Sequence, residues 1–279
     1  MKKVALLFSL LFLCAVLPLG AHPELLAQII EDLENDPENI PLLMEKAQTL
    51  IDMEIYDEAE ETLTFIKQLQ PEVSSESTYL RVLLHFSRDE KDKAYEMSKQ
   101  GLKEFPNSYL LWDMRGQMFH EDEKVSKAIE AFSKSLTLNE EASTGYYMRL
   151  AGLILKRDAE GDPEKALEVI QDALTKLGPN SGLLQFRIRL NRDLENFDAA
   201  LGDIDKLEEQ FGFQMNFITD RAKILTLAGR TEEAINAYDE AIDHINADPA
   251  NAEKKYMQRM KGNLEAAKTE LQPTVAGKE

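Results

Sequence analysis

Apolar residues recur along this chain at helical spacing, in paired stretches separated by short polar turns. Trp112, Gly116 and Phe119 share one face of a first stretch, and Ala128, Ile129 and Phe132 share one face of a second. No segment alternates apolar and polar residues as a half-buried strand does, so the pattern predicts an almost wholly helical chain. The predicted building block is a helical hairpin, and it recurs. A basic residue stands thirteen positions before an alanine at Lys46 and Ala59, Arg81 and Ala94, Arg115 and Ala128, Arg187 and Ala200, and Arg221 and Ala234. A sixth copy begins at Arg149, but its Ala166 comes four residues late, after Gly161, Asp162 and Pro163, the composition of a lengthened turn. Successive basic residues lie 35, 34, 34, 38 and 34 positions apart, a period near 34 that marks a repeat architecture.

Breakers fall in phase with the repeat, at Pro37, Pro71, Pro106, Pro179 and Pro249. Proline preorganises a first helical turn and a preceding aspartate can cap it, so Asp36 and Asp248 are expected helix caps. A stack of hairpins needs polar ends. His22 to Leu33 reads as an amphipathic helix before the first repeat, and Ala250 to Leu271, rich in Lys and Glu, as one after the last. The expected boundaries are a capping helix over 22–35, six repeats over 36–249, a second capping helix over 250–271 and a flexible tail over 272–279.

The spacing of Trp112, Gly116, Phe119, Ala128 and Phe132 resembles the tetratricopeptide repeat. The sixth repeat is similar, with Ala222, Leu225, Gly229, Ala234, Tyr238 and Ala241 at that family's small, large, turn-glycine, small, aromatic and small positions. The likeness covers roughly residues 38 to 248. Three features depart from it: Val82 and Ile188 stand where small residues are expected, and the third repeat ends in Asn139-Glu140 without proline. The resemblance implies an all-α, right-handed superhelical solenoid of six hairpins with a capping helix at each end. It also implies that the first helix of each hairpin lines a concave groove that binds a protein or peptide.

Residues 1–21 stand apart. Lys2 and Lys3 precede an apolar run from Val4 to Leu19, and Ala21 supplies a small residue at a cleavage position, the anatomy of an export signal. The run is shorter than the roughly 20 apolar residues of a spanning helix, so cleavage with no membrane span afterwards is expected. The expected location is the periplasm or the cell surface. Cys14, preceded by Leu11-Phe12-Leu13, lacks the small residues that go before a lipidated cysteine. Cleavage after Ala21 leaves no cysteine, and therefore no disulfide.

The same cleavage leaves 30 basic against 51 acidic residues, a net charge of −21, which excludes nucleic acid and anionic lipid as general partners. Catalytic patterns are missing: the sequence has no Gly-rich phosphate loop, serine elbow or Cys-His pairing, so no enzyme activity and no cofactor are expected. The four histidines, His22, His85, His120 and His244, lie on four different elements and make no ligand pair. His22 would become the new N-terminus, where an amine and an imidazole together can chelate copper. Adjacent acids such as Glu60-Glu61 point about 100° apart on a helix and read as solvated surface.

Two polar features remain. The recurrent Arg or Lys lies close in angle to the packed face, so its stem is expected along the core with its head reaching an acid of the next hairpin. The better ligand positions lie two before, two after and five after it. These include Tyr79, Leu83 and Phe86 in the second repeat, Tyr147, Ala151 and Ile154 in the fourth, Arg189 and Arg192 in the fifth, and Lys223 in the sixth. Tyr79, Phe86, Tyr147, Arg189, Arg192 and Lys223 therefore form the expected groove, suited to a peptide that bears a carboxylate. Core packing stays open as an alternative in the second and fourth repeats, and a solvated face for the arginines.

Overall fold

The computed structural model describes residues 22–212, 214–247 and 253–276, with side chains from Pro23 to Leu271 within those spans. The export signal over 1–21, the expected cap Asp248 and the breaker Pro249 lie outside the described residues, as does the side chain of His22.

Among the described residues every regular element is a helix. The first is α1 (His22–Asn35). Three hairpins follow: α2 (Ile40–Asp52) with α3 (Tyr56–Leu69), α4 (Ser75–Ser87) with α5 (Lys91–Glu104), and α6 (Tyr109–Glu121) with α7 (Val125–Leu138). Three more are α8 (Thr144–Arg157) with α9 (Asp162–Leu177), α10 (Ser181–Asp193) with α11 (Phe197–Phe211), and α12 (Met215–Leu227) with α13 (Thr231–Ala247). The last helix is α14 (Lys255–Ala276), which packs on α13 and carries helical backbone past the expected end at Leu271. Helix ends are the least sharply encoded part of an element.

The chain divides between Glu141 and Ala142 into two compact units. The N-terminal unit holds α1 to α7 and the C-terminal unit α8 to α14. The division falls at the one inter-hairpin boundary with neither proline nor glycine, where the Asn139 side chain accepts a hydrogen bond from the Glu141 backbone N–H at 3.1 Å.

Local chemistry explains the helix starts, with one correction. The prolines sit in the turns before the helices, and the caps come one to three residues later. Asn39, Ser74, Ser108 and Asn180 each accept a hydrogen bond from the N–H three residues on, at the heads of α2, α4, α6 and α10. Asp36 instead accepts from the Asn39 amide at 3.0 Å and so positions the cap. A capping side chain must reach back to an N–H in the first turn, and Asp36 lies too far upstream to do so.

The turn inside each hairpin is repeated as faithfully as the helices. Eight residues after the ladder cation, Glu54, Asp89, Glu123, Glu195 and Gly229 all take φ between 58° and 70°. The N–H of the next residue then bonds back to the carbonyl five residues earlier, as from Lys124 to Phe119 at 2.8 Å. This closure satisfies carbonyls left open at the helix C-terminus.

The lengthened fourth turn is built differently. Asp158 and Gly161 both take positive φ, and Asp162, 1% exposed, ties the loop together. Its carboxylate accepts from Arg157 Nε at 2.9 Å, from Arg157 Nη2 and from the Ala159 N–H at 2.9 Å. The Arg157 hydrogen bond holds Asp162 at about 2, below its ordinary 3.8, against the opposing effect of burial. A depressed folded value makes the carboxylate stabilising above its unfolded pKa, with that contribution lost as pH falls from about 4 through about 2. Asp162→Asn is therefore expected to lower the melting temperature at neutral pH and to flatten the loss of stability between those two pH values. Parallel acid limbs for variant and wild type would overturn this role.

Packing places the small residues of the pattern where helices meet. Ala47, Ala94, Ala128, Ala166, Ala200 and Ala234 are all fully buried. In the N-terminal unit the core runs from Ile51 and Leu63 through Leu84 to Met114 and Met118. In the C-terminal unit it runs from Leu184 and Ile204 through Tyr238 to Leu264 of α14.

Candidate peptide-binding surface

Four of the ladder cations, Arg81, Arg115, Arg187 and Arg221, settle into the hairpin seams, as expected, but they reach backward to the preceding hairpin and not forward. Arg81 donates to the Leu63 carbonyl at 2.7 Å and Arg115 to Ser98 Oγ at 3.3 Å. Arg221 donates to Asp205 at 2.7 Å and Glu208 at 2.6 Å, both on α11. Arg187 does both things, bonding Gln171 of the preceding hairpin and forking over Asp203 of its own. Each of these first helices packs against the second helix of the hairpin before it, which puts that helix within reach of the ladder guanidinium groups. These arginines are therefore structural struts.

The ligand positions separate into three outcomes. In the N-terminal unit Tyr79 and Phe86 are half-buried on α4. Tyr79 packs against the cores on both sides of that helix, while Phe86 rests on the Met114 and Met118 side. Burial, then the nearby Asp113 and Asp52 carboxylates, pushes the Tyr79 phenol well above its usual range, so it stays a neutral hydrogen-bonding group. Those acids are themselves bound by amides, Asp113 by Gln117 at 2.7 Å and Asp52 by Gln48 at 3.0 Å. This face is apolar and amide-rich, with the buried Asp113 and the exposed Asp52 near Tyr79.

Tyr147 corrects the expectation. It is 2% exposed, and Ala151 and Ile154 are buried beside it on α8, so all three expected groove positions of the fourth repeat belong to the core. The Lys176 ammonium sits 5.9 Å from the Tyr147 ring centre. With Tyr147, Leu150, Ala151 and Ile154 all buried, α8 turns a different arc of its circumference inward from that of α4, and about 100° per residue is enough to turn a groove position into a core position.

The cations of the C-terminal unit do lie outside. Arg189 is exposed on α10, its guanidinium 5.3 Å from the Phe186 ring centre. Arg192, one turn on, is held by its neighbour Asp193 at 2.8 Å. Lys223 on α12 is 62% exposed and pairs loosely with Asp220 at 3.4 Å. Arg189 makes no hydrogen bond or ion pair with any described residue. An arginine stacked on an aromatic ring keeps its donor fork pointing outward, the geometry that receives a carboxylate bidentately.

Among the described residues no three His, Cys, Asp or Glu side chains converge as a metal site, and no helix is long and apolar enough to cross a membrane.

With this geometry in hand, comparison with known proteins bears on the fold. PilF of Pseudomonas aeruginosa superimposes with a TM-score of 0.52 at 12% identity, over 80% of this chain and 97% of that one. The fold is tetratricopeptide-like. YrrB, described as a tetratricopeptide-repeat protein with an unusual peptide-binding site, gives a TM-score of 0.44 at 15% identity, over 80% of this chain and 95% of that one. In sequence, the auxiliary subunit NAA15 of the Arabidopsis thaliana N-terminal acetyltransferase A complex is 18% identical over 190 residues. That match takes in 54% of this chain and only 21% of NAA15, so the chain corresponds to about a fifth of that relative. No family model matches the chain.

Proposed function

We propose that this protein is a noncatalytic scaffold, an adaptor or assembly factor, which holds a carboxylate-bearing peptide or protein segment on the first-helix face of its C-terminal unit. The observation that carries this reading is Arg189: in a chain of net charge −19, its guanidinium is exposed, propped on Phe186 and committed to no carboxylate. Arg192 and Lys223 add positive charge through weak local pairings that a ligand carboxylate can displace. The half-exposed Tyr79 and Phe86 offer the N-terminal unit's own apolar contacts. The reading includes export, so that the functional chain begins at His22 and works in the periplasm or at the cell surface.

The test is capture of partners from the native cell envelope by wild type beside Arg189→Glu/Arg192→Glu, with intact mass reading whether the chain starts at His22. Loss of a bidentate charge-assisted contact is expected to weaken capture by about tenfold or more at unchanged melting temperature. Partners retained at equal strength would remove the cationic surface from the proposal. A second reading, service as an accessory subunit of an enzyme complex, is favoured by the NAA15 likeness. It predicts that the captured partner is itself an enzyme whose activity rises with the scaffold bound.

A further inference from the structure

The C-terminal unit carries two cavities on the side of its second helices, away from Arg189. One, of about 800 Å³, lies between α9 and α11 with Arg187 and Asn191 of α10 among its lining. The other, of about 460 Å³, lies between α11 and α13 with Arg221 and Leu225 of α12 in the same role. A shift of one repeat carries the first onto the second: Leu167 onto Leu201, Gln171 onto Asp205, Arg187 onto Arg221, Ala199 onto Glu233. They are one kind of cleft, formed twice by successive second helices.

Gly202, in the middle of α11, lines both. A methyl group at this position would meet no atom within 4 Å, and its φ is not in the left-handed region. Neither close packing nor backbone conformation asks for glycine here, although glycine weakens a helix interior relative to alanine. What it does is keep the ridge between the clefts low, so that they join into a single trough across α11.

The charge of the trough indicates its occupant. Its cations are already matched: Arg187 and Lys206 by Asp203, Arg221 by Asp205 and Glu208, Arg230 by Asp198 and Glu233. Glu164 and Glu168, one turn apart on α9, and Glu240 on α13 make no ion pair or hydrogen bond with any described residue. Leu167, Ala199 and Gly202 supply the accessible apolar surface between these rims, above the buried Leu201 and Leu225. We propose that this trough is a second docking surface, for a basic amphipathic helix of a partner protein. Its apolar stripe lies over Leu167, Ala199 and Gly202, and Lys or Arg side chains at i and i+4 lie over Glu164 and Glu168.

The probe is a labelled synthetic helical peptide with a leucine stripe flanked by lysines, beside a copy with glutamates in place of the lysines. Fluorescence anisotropy is read at about 0.15 M ionic strength, where long-range attraction is screened. Wild type is expected to bind the lysine peptide and not the glutamate one. Gly202→Trp, which fills the saddle, should weaken binding about tenfold or more without lowering the melting temperature. Gly202→Ala should bind within about twofold of wild type and melt higher. Glu164→Lys/Glu168→Lys should also weaken binding, whereas Arg189→Glu/Arg192→Glu should not, which separates this surface from the one above. Binding of the lysine peptide by Gly202→Trp within twofold of wild type, equal binding of the glutamate peptide, or self-association that Gly202→Trp abolishes in sedimentation would overturn the proposal, the last by assigning the trough to a second copy of the chain.

Discussion

Gly116→Ala is expected to destabilise the N-terminal unit by about 2 kcal/mol, even though alanine is the better helix former by about 1 kcal/mol. A Cβ built on Gly116 would stand 2.6 Å from Cδ1 and Cε1 of the Phe132 ring, closer than side-chain carbons approach. Phe132 is 3% exposed on α7, so the ring has little room to retreat, and α6 and α7 must separate. Denaturation followed by the single tryptophan, Trp112, whose indole N–H donates to the Pro106 carbonyl at 2.9 Å, reads this unit directly. In a Phe132→Leu background the alanine should cost much less, because the clashing ring is gone. An additive double variant would show that the close approach is not the cause.

Arg187→Met should cost the C-terminal unit about 3 kcal/mol. Asp203 is 2% exposed and receives both prongs of the Arg187 fork, including Nε at 2.7 Å, with Lys206 at 3.0 Å as its other cation. Removing the arginine strands a buried carboxylate beside one half-exposed lysine, and the penalty is that of the uncompensated charge more than of the lost attraction. Arg187→Met/Asp203→Leu, which removes both charges and fills the space, should recover most of the loss in urea denaturation followed by circular dichroism. If the double variant is no more stable than the single, the burial of Asp203 is not what makes Arg187 necessary.

These two residues mark how far the chain's own pattern reaches. The thirteen-residue interval between ladder cation and alanine is imposed by hairpin geometry: a helix of about thirteen residues, a short closing turn and a second helix in contact with the first. Because every hairpin solves that same local problem, the solution is written into each repeat, and all the hairpins from α2 to α13 follow it except α8 with α9, whose turn is lengthened. The small-residue positions and the seam location of Arg81, Arg115, Arg187 and Arg221 were readable for the same reason, since each depends on neighbours within about one repeat. The helix caps were misplaced because the turn runs on past each proline before the helix begins, so that Asn39, Ser74, Ser108 and Asn180, and not Asp36, stand within reach of the first-turn N–H groups.

What lies on the rim of a helix needed the tertiary structure. Tyr147 and Tyr79 occupy the same repeat position, yet one is core and the other half-exposed. Burial depends on how far each helix is rotated against its neighbours, and a shift of one residue carries about 100°. Arg189 and Arg187 differ by two positions; one is free and the other forks over a buried aspartate because α11 happens to bring Asp203 under one of them only. Gly202 gives no sequence signal beyond being a lone glycine in a helix, and its meaning comes from the space around it. Sequence alone determined the hairpin, its period and its seams, because these are set by contacts close along the chain. Tertiary structure alone decided which side chains are exposed, because exposure is a property of the packed surface and not of the repeat.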